Sequence, residues 1–83
     1  MFKIVLHKNA AKKLAKFPGD LRSKILKAID SLSIDPYAGK KLHGELEGSC
    51  RIRIGDFRII YDIHQNDNIV VVHAIGSRGD VYK

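Results

Sequence analysis

The chain has little of several residue types. One cysteine, one methionine, two prolines and no tryptophan occur in 83 residues. A lone cysteine, Cys50, excludes an internal disulfide and any multi-cysteine metal site, and it fits a reducing compartment. No run approaches the ~18–20 apolar residues needed to cross a bilayer. The opening residues carry no secretory apolar core. The expectation is therefore a cytoplasmic protein with no membrane partner. No Gly-rich phosphate loop, Ser/His/Asp arrangement or zinc-ligand spacing is present, so no cofactor and no metal is expected. Repeats and low-complexity tracts are absent. The length leaves room for one domain, residues 1–83, too small for a large internal pocket. Acidic residues are also scarce, 9 against 15 Lys and Arg, for a formal net charge of +6. Such an excess on a small domain points to a polyanionic partner, either nucleic acid or an acidic protein.

What is present is unevenly placed. Residues 1–29 hold eight basic residues and one acid, Asp20, a sum of +7; residues 30–83 hold seven basic residues and eight acids, a sum of −1. Seven of ten lysines fall in the first segment, and four of five arginines fall after residue 50. Lysine is a hydrated point charge suited to general attraction, whereas arginine is a planar fork suited to fixed phosphate contacts. The first half reads as an electrostatic collar and the second as a site. The alternative for the lysines is a solvated helix face that maintains solubility.

Periodicity predicts an α+β fold in the order β-α-α-β-β-β, with two N-terminal helices packed on a mainly antiparallel sheet. Phe2–His7 reads as a strand. Asn9 is the predicted cap of a helix from Ala10 to Lys16, which Pro18 ends. Asp20 is the predicted cap of a second helix to about Ser33, with Leu21, Ile25, Ala28, Ile29 and Leu32 on one face. Pro36–Gly44 reads as a polar loop. Cys50–Ile54 alternates strictly, Gly55-Asp56 is a two-residue hairpin signal, and Phe57–Ile63 follows. A turn at Asn66-Asp67 precedes a last strand, Ile69–Ile75. The partner of the first strand cannot be derived from the sequence.

The hairpin makes a specific claim. A two-residue turn pairs Ile54 with Phe57, Arg53 with Arg58, Ile52 with Ile59 and Arg51 with Ile60. One face then carries Ile52, Ile54, Phe57, Ile59 and Tyr61, and must be the core. The other carries Arg51, Arg53, Arg58, Ile60 and Asp62. Arg53 opposite Arg58 is a like-charge pair, destabilising by ~0.2–1 kcal/mol. An anion bound by the clustered guanidiniums explains that cost. The alternative is an exposed sheet face whose arginines are neutralised by Asp62 and nearby acids. His73 falls near Ile60 on the arginine face, unless a one-residue shift buries it. Cys50 reads as half-buried and Tyr61 as structural.

In order, Phe17-Pro18, Leu32-x-x-Asp35-Pro36, Lys41-Leu42-His43-Gly44, Arg51-Ile-Arg53, Asp56-Phe57-Arg58-Ile-Ile-Tyr61 and Ile75-Gly76-x-Arg78 with Val81-Tyr82 resemble the RelE/ParE toxin superfamily. The likeness spans residues 2–82, and the short ending is similar to compact archaeal-type RelE members. The resemblance implies a RelE-like fold and a toxin of a type II toxin–antitoxin system. It implies a metal-independent, ribosome-dependent endoribonuclease that cuts mRNA in the A site by attack of the ribose 2′-OH on the adjacent phosphate. The implied partners are a cognate antitoxin, the ribosome and mRNA. By resemblance, Arg51 and Arg53 match two basic positions of a catalytic strand that are usually lysine, and Arg58 matches a phosphate-stabilising arginine. Arg78 matches an arginine for phosphate or leaving group, and Tyr82 a tyrosine that stacks on a base. His43 stands where relatives carry a basic residue, as a possible base or phosphate contact. Lys12, Lys13, Lys16, Lys24, Lys27 and Lys41 would grip RNA. Arginine at position 53 departs from the pattern. With a pKa of ~12.5–13.8 its neutral fraction at pH 7 is on the order of one in a million, so it serves as charge and not as general base. Two other readings share the scaffold: a ParE-like inhibitor of DNA gyrase and a non-catalytic nucleic-acid-binding domain.

Overall fold

The computed structural model describes residues 1–41 and 49–77. The elements run β1 (Lys3–Leu6), α1 (Lys8–Ala15), α2 (Gly19–Ile34), β2 (Lys40–Lys41), β3 (Ser49–Ile54), β4 (Phe57–His64) and β5 (Ile69–Ser77). The sheet order is β1-β5-β4-β3-β2. Every pairing is antiparallel except β1 with β5, which is parallel. The expected α+β arrangement of two helices on a mainly antiparallel sheet is what forms.

Both helices start earlier than the sequence suggests. His7 caps α1, its Nδ1 accepting from the Asn9 N–H at 3.2 Å, so Asn9 lies inside the first turn. Pro18 stands at the head of α2 and its carbonyl accepts from the Arg22 N–H at 2.9 Å. Asp20 sits in the first turn instead of capping it, where a carboxylate complements the helix dipole. Proline suits that entry because its fixed φ is helix-compatible and its missing N–H would have had no partner. The segment taken as a polar loop also holds more order. Asp35 Oδ1 accepts from the Tyr37 N–H at 3.2 Å and starts a 3-10 turn, Pro36–Ala38, before β2.

The core lies between the helices and one face of the sheet. Ala10, Leu14, Ile25, Ile29 and Leu32 from the helices meet Cys50, Ile59, Tyr61, Val70, Val72 and Ile75 from the strands. Ile52 and Ile54 pack against this cluster, and Phe57 meets Phe17 edge-on at 5.2 Å between ring centroids. The core face is the expected one. Cys50 is fully buried, where half-burial was expected. Ile60, on the opposite face, is also buried.

Tyr61 is the largest fully buried side chain, and its hydroxyl donates to the Pro36 carbonyl at 2.7 Å. Burial pushes its phenol up to about 12 from the ordinary 10.0, and the charge of Cys50 adds to the rise. A raised folded-state value means that the folded chain holds this proton more tightly than the unfolded chain. The associated stability is complete below pH 10 and is lost as pH rises from 10 through about 12. The loss should approach about 2–3 kcal/mol. Denaturant titrations across that window should show wild type losing more stability than Tyr61→Phe by that amount. Parallel curves for the two proteins would contradict it.

Candidate functional site

The arginine face begins at a turn. Gly55 has φ +57° and Asp56 has no positive φ, the pattern of a type II′ hairpin, whose twist matches that of the strands it joins. This turn sets the register Ile54↔Phe57, Arg53↔Arg58, Ile52↔Ile59 and Arg51↔Ile60. Arg51, Arg53 and Arg58 thus share the face turned away from the helices. Arg53 and Arg58 are directly opposite each other. Arg53 is exposed and Arg51 and Arg58 are half-buried. The Arg53 Nε donates to the Gly55 carbonyl at 3.4 Å, which bends that side chain toward the turn.

The next row of this face is a hydrogen-bonded chain across three strands. Ser49 on β3 donates its hydroxyl to Asp62 Oδ1 on β4 at 2.6 Å, and Asp62 Oδ2 meets His73 Nε2 on β5. Each oxygen of Asp62 is therefore engaged. The sequence treats this acid as a neutraliser of the arginines and gives Ser49 and His73 no role.

His73 reaches this row through an irregularity. Ile60 pairs with Ala74, but Tyr61 pairs with Val72, so β5 carries one extra residue, His73. The signal is visible in the sequence after the fact. Val70, Val72 and Ile75 all face the core, yet Val72 and Ile75 are three positions apart, and an odd interval on one face requires a bulge.

The lysines lie elsewhere. Lys12, Lys16, Lys24 and Lys27 are exposed and Lys13 is half-buried, all on the helices that cover the core face. The sheet separates them from the arginines. In β2, Lys41 pairs with Cys50, while its neighbour Lys40 pairs with Arg51 and so occupies the arginine row. His43, Arg78 and Tyr82 lie outside the described residues. Among the described residues no three His, Cys, Asp or Glu side chains form a metal-binding group. No helix among them is long and apolar enough to cross a membrane.

The geometry can hold an anion. Three fixed positive charges share one two-strand ladder, and a histidine–carboxylate pair adjoins them. Comparison with known proteins is consistent with that arrangement. The toxin RelE1 of Methanocaldococcus jannaschii is 31% identical over 86 residues, covering 99% of this chain and 96% of that protein. Toxin RelG of Mycobacterium tuberculosis is 32% identical over 76 residues, covering 89% and 87%. Among solved structures, the toxin–antitoxin complex RelBE2 of Mycobacterium tuberculosis contains a chain that superimposes with a TM-score of 0.85 at 26% identity, covering 93% of this chain and 98% of that one. The family model described as the ParE toxin of the type II toxin–antitoxin system parDE matches residues 4–82. This chain belongs to that family, the RelE/ParE toxins of type II toxin–antitoxin systems.

Proposed function

We propose that this toxin is a ribosome-dependent endoribonuclease that cleaves mRNA in the A site and so inhibits translation in the cytoplasm. One observation carries the reading. Arg51, Arg53 and Arg58 stand on one ladder with Arg53 and Arg58 paired, at a cost of ~0.2–1 kcal/mol that a bound phosphate would reverse. Cleavage by 2′-OH attack makes the phosphate more anionic in the transition state. Preorganised guanidiniums stabilise that charge without reorganising. The reaction needs only protons moved and charge held, which matches the residue types present. Arg78 and Tyr82 would add a fourth cation and a base-stacking platform, worth ~1–3 kcal/mol per base. His43 would contribute a phosphate contact. The helix lysines would hold ribosomal RNA.

A cognate antitoxin is the proposed protein partner, since the RelBE2 relative was solved as a toxin–antitoxin complex. Its inhibitory segment should be acidic, matching the charge of +6.

The test is cleavage of a defined mRNA by pure protein with and without programmed ribosomes. Defined ends that appear only with ribosomes are expected. Intact mRNA together with gyrase trapped on DNA would replace this reading with gyrase inhibition. RNA binding with no cut and no gyrase effect would leave a binding module.

A further inference from the structure

The arginine face can hold a phosphate, but a guanidinium cannot take the 2′-OH proton. We propose that His73, oriented by Asp62 and Ser49, is the group that accepts it. The proposal rests on the nuclease reading above, and it identifies a residue that this reading leaves unfilled.

The first argument comes from the bulge. Val70, Val72 and Ile75 are all buried in the core. Without His73 the strand would read Val70 in, Val71 out, Val72 in, Ala74 out, Ile75 in, a regular alternation. Each core residue would keep its face. Packing of the core therefore does not require the extra residue. Bulges concentrate beside active sites, where they re-aim one side chain. Here the re-aimed side chain is a histidine on the arginine face.

The second argument is chemical. Asp62 Oδ2 takes Nε2 of the ring, and Asp62 Oδ1 is tied by Ser49 at 2.6 Å. The carboxylate fixes the ring plane and keeps the proton on Nε2, the job a carboxylate does for the histidine of a catalytic triad. Nδ1 is then the nitrogen that can take a proton. The His73 side chain is 41% exposed, so a substrate can reach it, and Asp62 is less exposed at 28%.

The third argument is placement. Ala74 pairs with Ile60, and Ile60 pairs with Arg51. The backbone at His73 is thus about two strand spacings, ~9.6 Å, from that of Arg51. Arg58 lies two residues along β4 from Ile60. Side chains of these lengths can meet on one phosphodiester. The ionisable groups on the elements around His73 are Asp62 and Arg58 on β4, Arg51 and Arg53 on β3, His7 at the head of α1, with ring centroids 6.5 Å apart, and Lys3 on β1. Asp62 is the one carboxylate among them, and it stabilises the imidazolium that forms.

In the step, His73 Nδ1 takes the 2′-OH proton as the 2′-oxygen bonds to phosphorus. The phosphorus–O5′ bond breaks, and the departing 5′-oxygen takes a proton from water. The hydroxide left behind recovers the proton from His73. The products are a 2′,3′-cyclic phosphate and a 5′-hydroxyl.

His73→Gln should slow ribosome-dependent cleavage by about 10²-fold or more. The fall in wild-type rate toward acid pH should vanish in that variant. Deleting His73 should leave a folded, regular strand with the same loss of activity. Asp62 is a positioning residue, so Asp62→Asn should lower kcat and shift the acid limb without weakening ribosome binding. Nitrogen-15 NMR of the wild-type ring should show Nδ1 unprotonated at neutral pH. A ring protonated on Nδ1, or His73→Gln cleaving within twofold of wild type with the same pH profile, overturns the proposal and leaves the nuclease reading standing. Wild-type protein that never cuts mRNA overturns both.

Discussion

Arg58→Ala should slow ribosome-dependent mRNA cleavage by about 10²–10³-fold, the usual cost of removing one preorganised group that stabilises developing charge. The same change should move the melting temperature by no more than a few degrees. Arg58 sits opposite Arg53, and truncating it relieves a repulsion of ~0.2–1 kcal/mol, which offsets the packing lost from a half-buried side chain. A residue whose removal destroys activity and leaves the fold nearly untouched is one kept for function. Arg58→Lys should fall between wild type and alanine, because lysine keeps the charge but not the planar two-pronged contact. Single-turnover cleavage on programmed ribosomes, paired with thermal melts, measures both quantities. Arg58→Ala that cleaves at the wild-type rate would remove this ladder from the chemistry.

The second large effect is on stability. Tyr61→Ala should cost about 3–5 kcal/mol, as truncation of a large buried ring does. An 83-residue domain has about 4–12 kcal/mol in total, so the variant should be unfolded or barely folded at 37 °C. The ring has no exposed surface and lies in the middle of the core cluster. Its hydroxyl ties the Pro36 carbonyl, so losing it also frees the connection between α2 and β2. Gly39 fits against it only because it has no side chain. A Cβ there would lie 2.1 Å from the Tyr61 hydroxyl and 2.8 Å from the Arg51 carbonyl. Tyr61 therefore anchors the segment that leads into the strand beside Arg51. Thermal unfolding checks the loss, and a Tyr61→Ala protein melting within 5 °C of wild type would contradict it.

The sequence carried the hairpin because the information there is local. Strict alternation on both sides of Gly55-Asp56 fixes which residues oppose which, and the observed pairs follow directly. The buried helix stripe is local too. The helix starts were misplaced because more than one residue near each start can cap, and the choice falls to packing. Asn9 and Asp20 have the usual cap chemistry, but His7 and Pro18 hold those positions. A two-residue strand such as β2 has no period to detect. The parallel pairing of β1 with β5 joins segments more than 60 residues apart, and nothing in either segment names its partner. The bulge at His73 belongs to the same class. It is defined by a mismatch between two strands, so reading either strand alone does not reveal it. The consequence fell on the site, where the arginines were legible and the Ser49–Asp62–His73 chain was not.

The sheet also acts as a partition, and this bears on how such a toxin can be silenced. Its lysines are on the helix side and its arginines on the other. A ligand strand lying along one side leaves the charge of the other in solution. An inhibitor that covers the arginine ladder would stop the chemistry without discharging the molecule. The silenced toxin would still be a polycation, able to hold RNA through its helices with an affinity that falls as salt rises. Catalysis and attraction to RNA are then two separately controlled properties of one small domain.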